Sequence, residues 1–461
     1  MLHTSTSALT DSRVAAANVL ADLRSGEKLD LAFERRVAEH GGSGLDARDR
    51  RWTQELVYGM LRRRAWLDAV LASRVRGGLA RLEPDLTDLL RLGAYQLLYM
   101  RSVPPYAAIA QTVELAKRRH GIGASKLANA VLRRVDRERD ALDPALERRV
   151  TDPIDRLALE HSHPRWLVAR WVARWGAAET AQLLVANNTE APVVLRPFGI
   201  VREQLEAMLE ASGVVTDDVP LVLDSLSLAA GGGHTQLSEL GAYRQGLFFV
   251  QDPAATLVTR YAGFPPGARV LDLCAAPGGK ALELSHDASL VVAADRSSVR
   301  LARLRENVRR LDARNIALVL ADAKEPPMRS AEAVLLDAPC TGTGAFRRHP
   351  DARWRLAPSD IAALSALQRD LLMAAATIVR PGGLLVYATC TLEPEENDAQ
   401  IEAFLAEHPE FRLEPPDVGA VPDAVVDAGR LRVLPQRHGV DGAFAARLRK
   451  VGGARGAGGR A

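Results

Sequence analysis

From Leu82 onward, apolar positions recur at Leu86, Leu89, Leu90, Gly93 and Leu97, the spacing that lines one face of a 3.6-residue helix. Upstream, Asp11-Ser12 precedes an Ala- and Val-rich stretch that reads as a helix start. Downstream, Pro104-Pro105 punctuates the chain before a helix beginning near Ala107. Gly121 and Gly123 close that helix, and Ser125–Val135 begins the next. No β-alternation of useful length interrupts this run. Residues 1–145 therefore predict an all-α domain of short helices, a helical bundle.

Residues 146–245 read differently. His161-Ser162-His163-Pro164-Arg165-Trp166 opens a helix rich in Trp and Arg. Two histidines two positions apart diverge on a helix and lack a third ligand, so no metal site is expected there. Val193–Leu195, Leu221–Leu223 and Gly246–Val250 predict short strands, with Glu203–Ser212 helical between the first two and Gly231-Gly232-Gly233 marking a loop. The segment predicts a small α+β module connecting two larger domains.

From residue 246 the pattern becomes strand, glycine turn, helix, repeated. Val270–Leu273 runs into Cys274–Gly279, Leu290–Ala294 ends at Asp295, and Ala317–Leu320 ends at Asp322. Ala333–Leu336 ends at Asp337 and Leu384–Tyr387 ends at Cys390, with helices such as Val299–Leu311 between strands. Strands alternating with helices predict a doubly wound parallel sheet, a Rossmann-like α/β domain over residues 246–450. The Gly/Ala/Arg-rich remainder, residues 451–461, predicts a disordered tail. The chain is thus expected to be multidomain: helical bundle, α+β linker module, C-terminal α/β domain.

Composition changes this picture little. A 461-residue chain with 47% hydrophobic and 25% charged residues is an ordinary globular mixture, too long for one core. The N-terminus lacks the pattern of a signal peptide, and no apolar run approaches the roughly 18 residues that span a bilayer, so no membrane association is expected. Three cysteines without a CxxC pair argue against both a disulfide framework and a zinc site, and fit a reducing, cytoplasmic setting. No apolar seam suggests an oligomer, and a monomer is expected.

Charge is more informative. Net charge is +3, yet residues 1–150 hold 26 Lys+Arg against 19 Asp+Glu, an excess of +7. The excess collects at Arg62-Arg63-Arg64, at Lys117-Arg118-Arg119-His120, and at Arg133-Arg134 with Arg137 and Arg139. A solvated helix face explains such clusters as readily as a nucleic-acid surface does.

The chemistry lies at the strand ends. A strand running into Cys274-Ala275-Ala276-Pro277-Gly278-Gly279 and then a helix is a nucleotide- or nucleoside-binding turn: glycines admit a close ligand, and the helix N-terminus offers free N–H donors. Asp295, 16 residues after Gly279, can take both hydroxyls of a ribose. Asp322 can accept from an exocyclic adenine amine. The dinucleotide fingerprint GxGxxG is absent, which disfavours NAD. A Walker A loop fails too, because Cys274 stands in place of its first glycine and Ala281 in place of the magnesium-binding hydroxyl. A ligand with adenosine and no phosphates fits, and S-adenosylmethionine is that ligand.

Cys340 and Cys390 would deliver two thiols to the carboxyl edge of the same sheet, beside that turn. The phrases VLDLCAAPGGK (270–280), LLDAPCTGTG and ATCTLEPEEN resemble the signatures of the Nop/Sun family of RNA cytosine-5 methyltransferases. LRLGAYQLLYM (90–100), VPPYAAIAQTVELAK (103–117) and LANAVLRRV (127–135) resemble the domain shared with the antitermination factor NusB. GLFFVQDPAATLV (246–258) and DGAFAARLRK (441–450) also match family phrasing, so the resemblance covers nearly the whole chain.

This resemblance implies a bacterial enzyme methylating a cytosine of 16S rRNA, with RNA as partner and a NusB-like first domain. It implies Cys390 as the nucleophile, Cys340 in release of the product, and Asp337 contacting the cytosine edge and bordering the methionine end of the cofactor. Lys280 would lie nearby, close enough to act on a thiol or the base. Ala281 stands where many relatives have Thr, and Thr391 where Ser is common.

Cysteine is an apt residue for such a reaction. Cytosine C5 is a poor nucleophile, and thiolate addition at C6 makes it enamine-like; the C5 proton must then leave before the thiol is eliminated. Cytosine-5 DNA methyltransferases place the nucleophile in a Pro-Cys phrase, which keeps Pro339-Cys340 as a rival. Their Glu-Asn-Val phrase has a counterpart in Glu306-Asn307-Val308, but within a predicted helix. Other readings remain: methylation of tRNA or another rRNA cytosine, or a non-catalytic NusB-like RNA-binding protein.

Overall fold

A computed structural model describes residues 9–39, 44–142, 150–229 and 237–451. The Gly231–Gly233 loop, the tail beyond Val451 and the boundary expected at 145/146 lie outside the described residues. The chain divides into two compact units: the chain up to Thr189 together with Arg348–Arg355, and Glu190–Arg347 together with the chain from Leu356 onward.

The first unit is helical. It contains α1 (Asp11–Arg24), α2 (Leu29–Ala38), α3 (Ala47–Arg62), α4 (Arg64–Ala72), α5 (Pro84–Tyr99) and α6 (Pro105–Glu138). Two more helices, Pro153–Glu160 and Arg165–Asn188, follow. The face read from the sequence is the buried one: Leu86, Leu89, Leu90, Gly93 and Leu97 all face the core on α5. Gly93 is needed there because a Cβ would sit 2.7 Å from Leu132 Cδ1 and 2.9 Å from Thr112 Oγ1, where α5 crosses α6. Gly121 breaks α6 with φ +81°, as its sequence position predicted.

Residues Arg348–Arg355 belong to this unit by packing, although they fall between sheet elements of the other unit in sequence. Trp354 Nε1 donates to Leu61 O at 2.8 Å, and the fully buried Arg353 donates to Asn188 Oδ1 at 2.8 Å and Asn187 O at 3.0 Å. Burial pushes the Arg353 guanidinium down to about 9. His163, also buried, meets the carbonyl of His161 through Nδ1 at 2.8 Å, and burial lowers it well below the usual histidine range.

The second unit begins with a four-stranded antiparallel sheet: β1 (Val194–Pro197), β2 (Thr216–Asp218), β3 (Leu226–Leu228) and β4 (Phe248–Val250), in the order β2-β3-β1-β4. A helix, Arg202–Ala211, covers its core. The strand expected at Leu221–Leu223 is absent. Pro220 and a left-handed Leu221 (φ +69°) turn the chain there, Leu223 is exposed, and the pairing with β1 starts at Leu226.

The larger sheet contains β5 (Arg269–Asp272), β6 (Leu290–Asp295), β7 (Ile316–Leu320), β8 (Ala331–Asp337), β9 (Val379–Thr389), β10 (Phe411–Leu413), β11 (Val426–Asp427), β12 (Arg430–Val433) and β13 (Ala443–Lys450). Its order is β11-β12-β13-β9-β8-β5-β6-β7, with β10 on β13. The sheet is mixed rather than wholly parallel: β7-β6-β5-β8-β9 run parallel, and β13 pairs antiparallel with β9 over six rungs, Thr389↔Phe444 to Leu384↔Arg449. The DGAFAARLRK phrase becomes this strand. The order reverses beside β5, placing a crevice at the carboxyl ends of β5, β6 and β8, where such sheets bind ligands.

One helix, Pro358–Ile378, reaches a mean hydropathy of 1.3 over an 18-residue window, although Asp360, Gln368, Arg369 and Asp370 interrupt its apolar residues. Ile361, Leu371, Leu372, Ala375 and Ile378 on it are buried in the second unit, and it packs on β8 and β9, which accounts for its composition.

Candidate active site

The turn after β5 is shaped by backbone demands. Gly278 has φ +112°, and a Cβ there would lie 2.1 Å from Leu304 Cδ1, so glycine alone is tolerated. The helix Gly279–Leu284 follows, its first N–H groups free of intrahelical partners. Ala275 N donates to Ala294 O at 2.9 Å, tying the turn to the end of β6.

Asp295 closes β6, 3% exposed. Its carboxylate accepts from Ala276 N at 3.2 Å and Ser297 N at 2.9 Å, which fixes it between the turn and the next helix, Ser298–Arg310. Arg300 Nη1 stands 3.4 Å from Oδ2. Asp322 does not close its strand: β7 ends at Leu320, and Asp322 sits two residues on, exposed, with Oδ1 accepting from Lys324 N at 2.9 Å. Glu306-Asn307-Val308 lies inside the helix Ser298–Arg310, as expected.

Asp337 closes β8 and meets Lys280 Nζ at 2.8 Å. Burial works against the Lys280 ammonium, but Asp337 outweighs it and holds the pKa above the ordinary lysine value; Cys390 and Asp272 also act on it electrostatically. Cys340 follows three residues after β8 and Cys390 directly after β9. Their Sγ atoms are 3.4 Å apart. Adjacent parallel strands bring them together: Asp337 pairs with Ala388, and Ala338 N donates to Ala388 O at 2.9 Å. Gly344 N then donates to Cys390 O at 3.0 Å, and a Cβ on Gly344 would lie 2.8 Å from that same oxygen.

The two thiols differ. Cys390 is exposed; Cys340 is more enclosed, and its contact with Cys390 together with burial raises its thiol well above the ordinary range. Cys274 differs again. Burial and the nearby Asp272 and Asp337 carboxyls push its thiol up, and its side chain packs against the core. It stays protonated and contributes to the turn through its backbone.

Three residues to which the sequence reading assigned no role complete the site. Asp272, one strand position before Leu273, is fully buried, and the Cys274 N–H approaches it without a well-formed hydrogen bond; burial first, then Asp337, pushes its carboxyl up to about 8. Gln251 Nε2 is buried and unpartnered beside Gly279, 3.1 Å from where a Cβ of that glycine would stand. Glu396, fully buried, reaches the residues that follow both cysteines. All three fall within VLDLC, VQDPA or EPEEN, but their burial is a tertiary fact with no linear signature.

These groups fit a nucleoside carrying a cationic tail. Asp295 is a fixed carboxylate of the kind that takes ribose hydroxyls, the turn supplies free N–H donors, and Asp337 with Asp272 gathers carboxyls on the side of the thiols. Nothing in the turn sequence provides for magnesium or a triphosphate. The sheet order and its crevice are those of a Rossmann-like fold, and the family match over residues 264–449 makes it a methyltransferase domain with S-adenosylmethionine as its cofactor.

Comparison with known proteins makes the assignment specific. Residues 264–449 match the family described as 16S rRNA methyltransferase RsmB/F, residues 10–137 the NusB family, and residues 163–233 a ferredoxin-like domain of RsmF/B-like methyltransferases. The chain is 35% identical to a probable ribosomal RNA small subunit methyltransferase B of Synechocystis sp., covering 96% of this chain and 100% of that protein. It is 36% identical to the ribosomal RNA small subunit methyltransferase B of Pseudomonas syringae pv. tomato, over 95% and 97% of the two chains. The solved structure of PH0851 superposes with a TM-score of 0.78 at 26% identity, over 96% of this chain and 99% of that one. The chain belongs to the RsmB/F family of S-adenosylmethionine-dependent rRNA methyltransferases.

Proposed function

We propose that this enzyme methylates C5 of a cytosine in small-subunit ribosomal RNA through a covalent adduct with Cys390. The observation that carries the reading is the 3.4 Å contact between Cys340 and Cys390 at the ends of neighbouring parallel strands, beside the Lys280–Asp337 pair. The small-subunit target follows from what the relatives are named for. The same membership favours the cytoplasm, where ribosomal RNA is modified.

The division of labour follows from the environments. Contact with Cys390 and burial raise the Cys340 thiol, which suits it to donate toward Cys390, and the exposed Cys390 is the thiol that an RNA base can reach. Cys390 adds to cytosine C6 while Asp337 holds a proton at N3, which leaves C5 enamine-like. S-adenosylmethionine, when bound, supplies an electrophilic methyl group. With a methyl group on C5, the C5 proton would pass to water, its bonding pair would form the C5–C6 double bond, and the C6–S pair would return to Cys390, whose departing sulfur Cys340 meets with its S–H at 3.4 Å. Lys280 orients Asp337 through its 2.8 Å ion pair. Asp295 and Asp322 hold the adenosine moiety, and residues 274–279 line it with backbone.

The helical unit holds RNA on the second half of α6. Lys126, Arg133, Arg134 and Arg137 are exposed there, as are Lys117 and Arg118 before the Gly121 break. Arg63 and Arg64 instead pack over the rings of Tyr99 and Trp354, each at 5.4 Å, so Arg62–Arg64 is first a packing cluster. Bisulfite sequencing of small-subunit rRNA from a deletion strain and its parent tests the proposal. One protected cytosine should become convertible when the gene is removed, and an unchanged pattern would overturn the assignment.

A further inference from the structure

Glu396 is a fully buried carboxyl with no cationic partner among the described residues, and each of its side-chain hydrogen bonds leads to a residue flanking a cysteine or to the helix behind them. Oε1 accepts from Thr341 N, the residue after Cys340, at 2.9 Å, and from Gln368 Nε2 at 2.9 Å. Oε2 contacts the hydroxyl of Thr341 and, at 2.8 Å, that of Thr391, the residue after Cys390. The neighbours extend the pattern. Gln368 Nε2 also donates to Pro339 O, just before Cys340, at 2.9 Å. Asn397 accepts from Thr389 Oγ1 at 2.6 Å and donates to Thr391 O at 2.9 Å, bracketing Cys390 from both sides.

The protons can be counted. Glu396 Oε2, Thr341 Oγ1 and Thr391 Oγ1 form a closed triangle, with the two hydroxyls 2.7 Å apart. Thr343 Oγ1 also stands 3.1 Å from Thr391 Oγ1 and brings its own proton to that contact, so within the triangle three oxygen–oxygen contacts still need three protons, and Thr341 and Thr391 supply two. A protonated carboxyl supplies the third: it donates to Thr341, Thr341 donates to Thr391, and Thr391 donates back to Oε2. An ionised carboxylate would leave the contact between the hydroxyls without a hydrogen. Burial raises the Glu396 carboxyl in the same sense, although the hydrogen bonds from Thr341, Thr391 and Gln368 oppose it.

We propose that Glu396, as a neutral carboxyl, is a positioning residue that holds the Cys340 and Cys390 loops so that their thiols stay in contact. It touches no reacting atom. Its consequence for catalysis rests on the two-thiol reading above, but the clamp itself is a statement about geometry and is testable without it.

Dibromobimane, which fluoresces only after two neighbouring thiols displace both bromides, reads the thiol pair directly in the full-length protein. Glu396→Gln can accept the same N–H donors and donate to both threonines. It should therefore bridge Cys340 and Cys390 nearly as fast as the parent and retain most of its turnover. Glu396→Ala should bridge more than about tenfold more slowly and lose on the order of a hundredfold in kcat, the scale of an ångström-sized misplacement, while KM for S-adenosylmethionine stays within about twofold. Cys340→Ala sets the zero of the fluorescence assay.

Parental bridging by Glu396→Ala would overturn the clamp. So would a loss of cofactor affinity in step with turnover, which marks a merely structural residue, or a Gln variant as slow to bridge as the Ala variant. Should Glu396→Ala fail to fold, Thr391→Val removes one corner of the triangle, and two of its three contacts, at constant shape and carries the same expectations. Slowed bridging with undiminished methylation would support the clamp and sink the two-thiol mechanism instead.

Discussion

Cys340 and Cys390 lie 50 positions apart in sequence, and their sulfur atoms lie 3.4 Å apart in the fold. Parallel pairing of β8 with β9 brings the two loops side by side, and the thiols then differ in exposure. That asymmetry gives each a separate expected behaviour.

Cys390→Ala should abolish methyl transfer and any covalent RNA adduct. Cys340→Ala should still attack C6 and transfer the methyl, then stall with RNA attached. A protein–RNA species resistant to denaturing gels is expected with Cys340→Ala and not with the double variant. An adduct with Cys390→Ala and none with Cys340→Ala would move the nucleophile to the Pro339-Cys340 phrase.

Asp295→Ala removes the carboxylate fixed by Ala276 N and Ser297 N. If it takes both ribose hydroxyls, S-adenosylmethionine affinity should fall by about 1.5–3 kcal/mol, roughly tenfold to over a hundredfold. Calorimetry on the folded variant checks this, and unchanged affinity would remove Asp295 from the cofactor site.

Asp272 links stability to pH. Its folded-state pKa of about 8 lies above the ordinary carboxyl value of 3.8, so the folded protein holds a proton that the unfolded chain releases. That contribution is complete below about pH 4 and disappears as pH rises through 8, with a slope of at most about 1.4 kcal/mol per pH unit. Asp272→Asn removes the titration. Its Tm should gain on the parent between pH 5 and pH 8, and parallel melting profiles would refute the assignment.

RNA affinity offers a contrast within the helical unit. Replacing exposed Lys126, Arg133 and Arg137 with Gln should lower the slope of log affinity against log salt by about 0.7–0.9 per lost phosphate contact. Arg63→Gln and Arg64→Gln should act on stability instead, because their guanidinium groups lie over Tyr99 and Trp354. A slope unmoved by the α6 substitutions would place the RNA elsewhere.

The amino-acid sequence alone determined the local elements and the reactive vocabulary. The 3.6-residue spacing on α5, the break at Gly121 and the glycine turn after β5 are dictated by neighbours within a few residues, so they are legible in a linear string. The thiols and the acidic ends of β6 and β8, Asp295 and Asp337, were legible too, because side chains at carboxyl ends of parallel strands share one edge, whereas Asp322 lies two residues beyond β7. What depended on pairing between distant segments was not. The Leu221–Leu223 run is apolar enough for a strand, yet a left-handed Leu221 turns the chain and Leu226 pairs with β1 instead. Apolar content alone could not distinguish parallel from antiparallel neighbours for β13. The assignment of Arg348–Arg355 to the helical unit, the buried carboxyl of Asp272 and the closed triangle around Glu396 arise only when separate segments exclude water together. Burial and hydrogen-bond sharing are properties of that assembled environment, and so the tertiary structure alone decided which carboxyls are buried and how the two thiols differ in exposure.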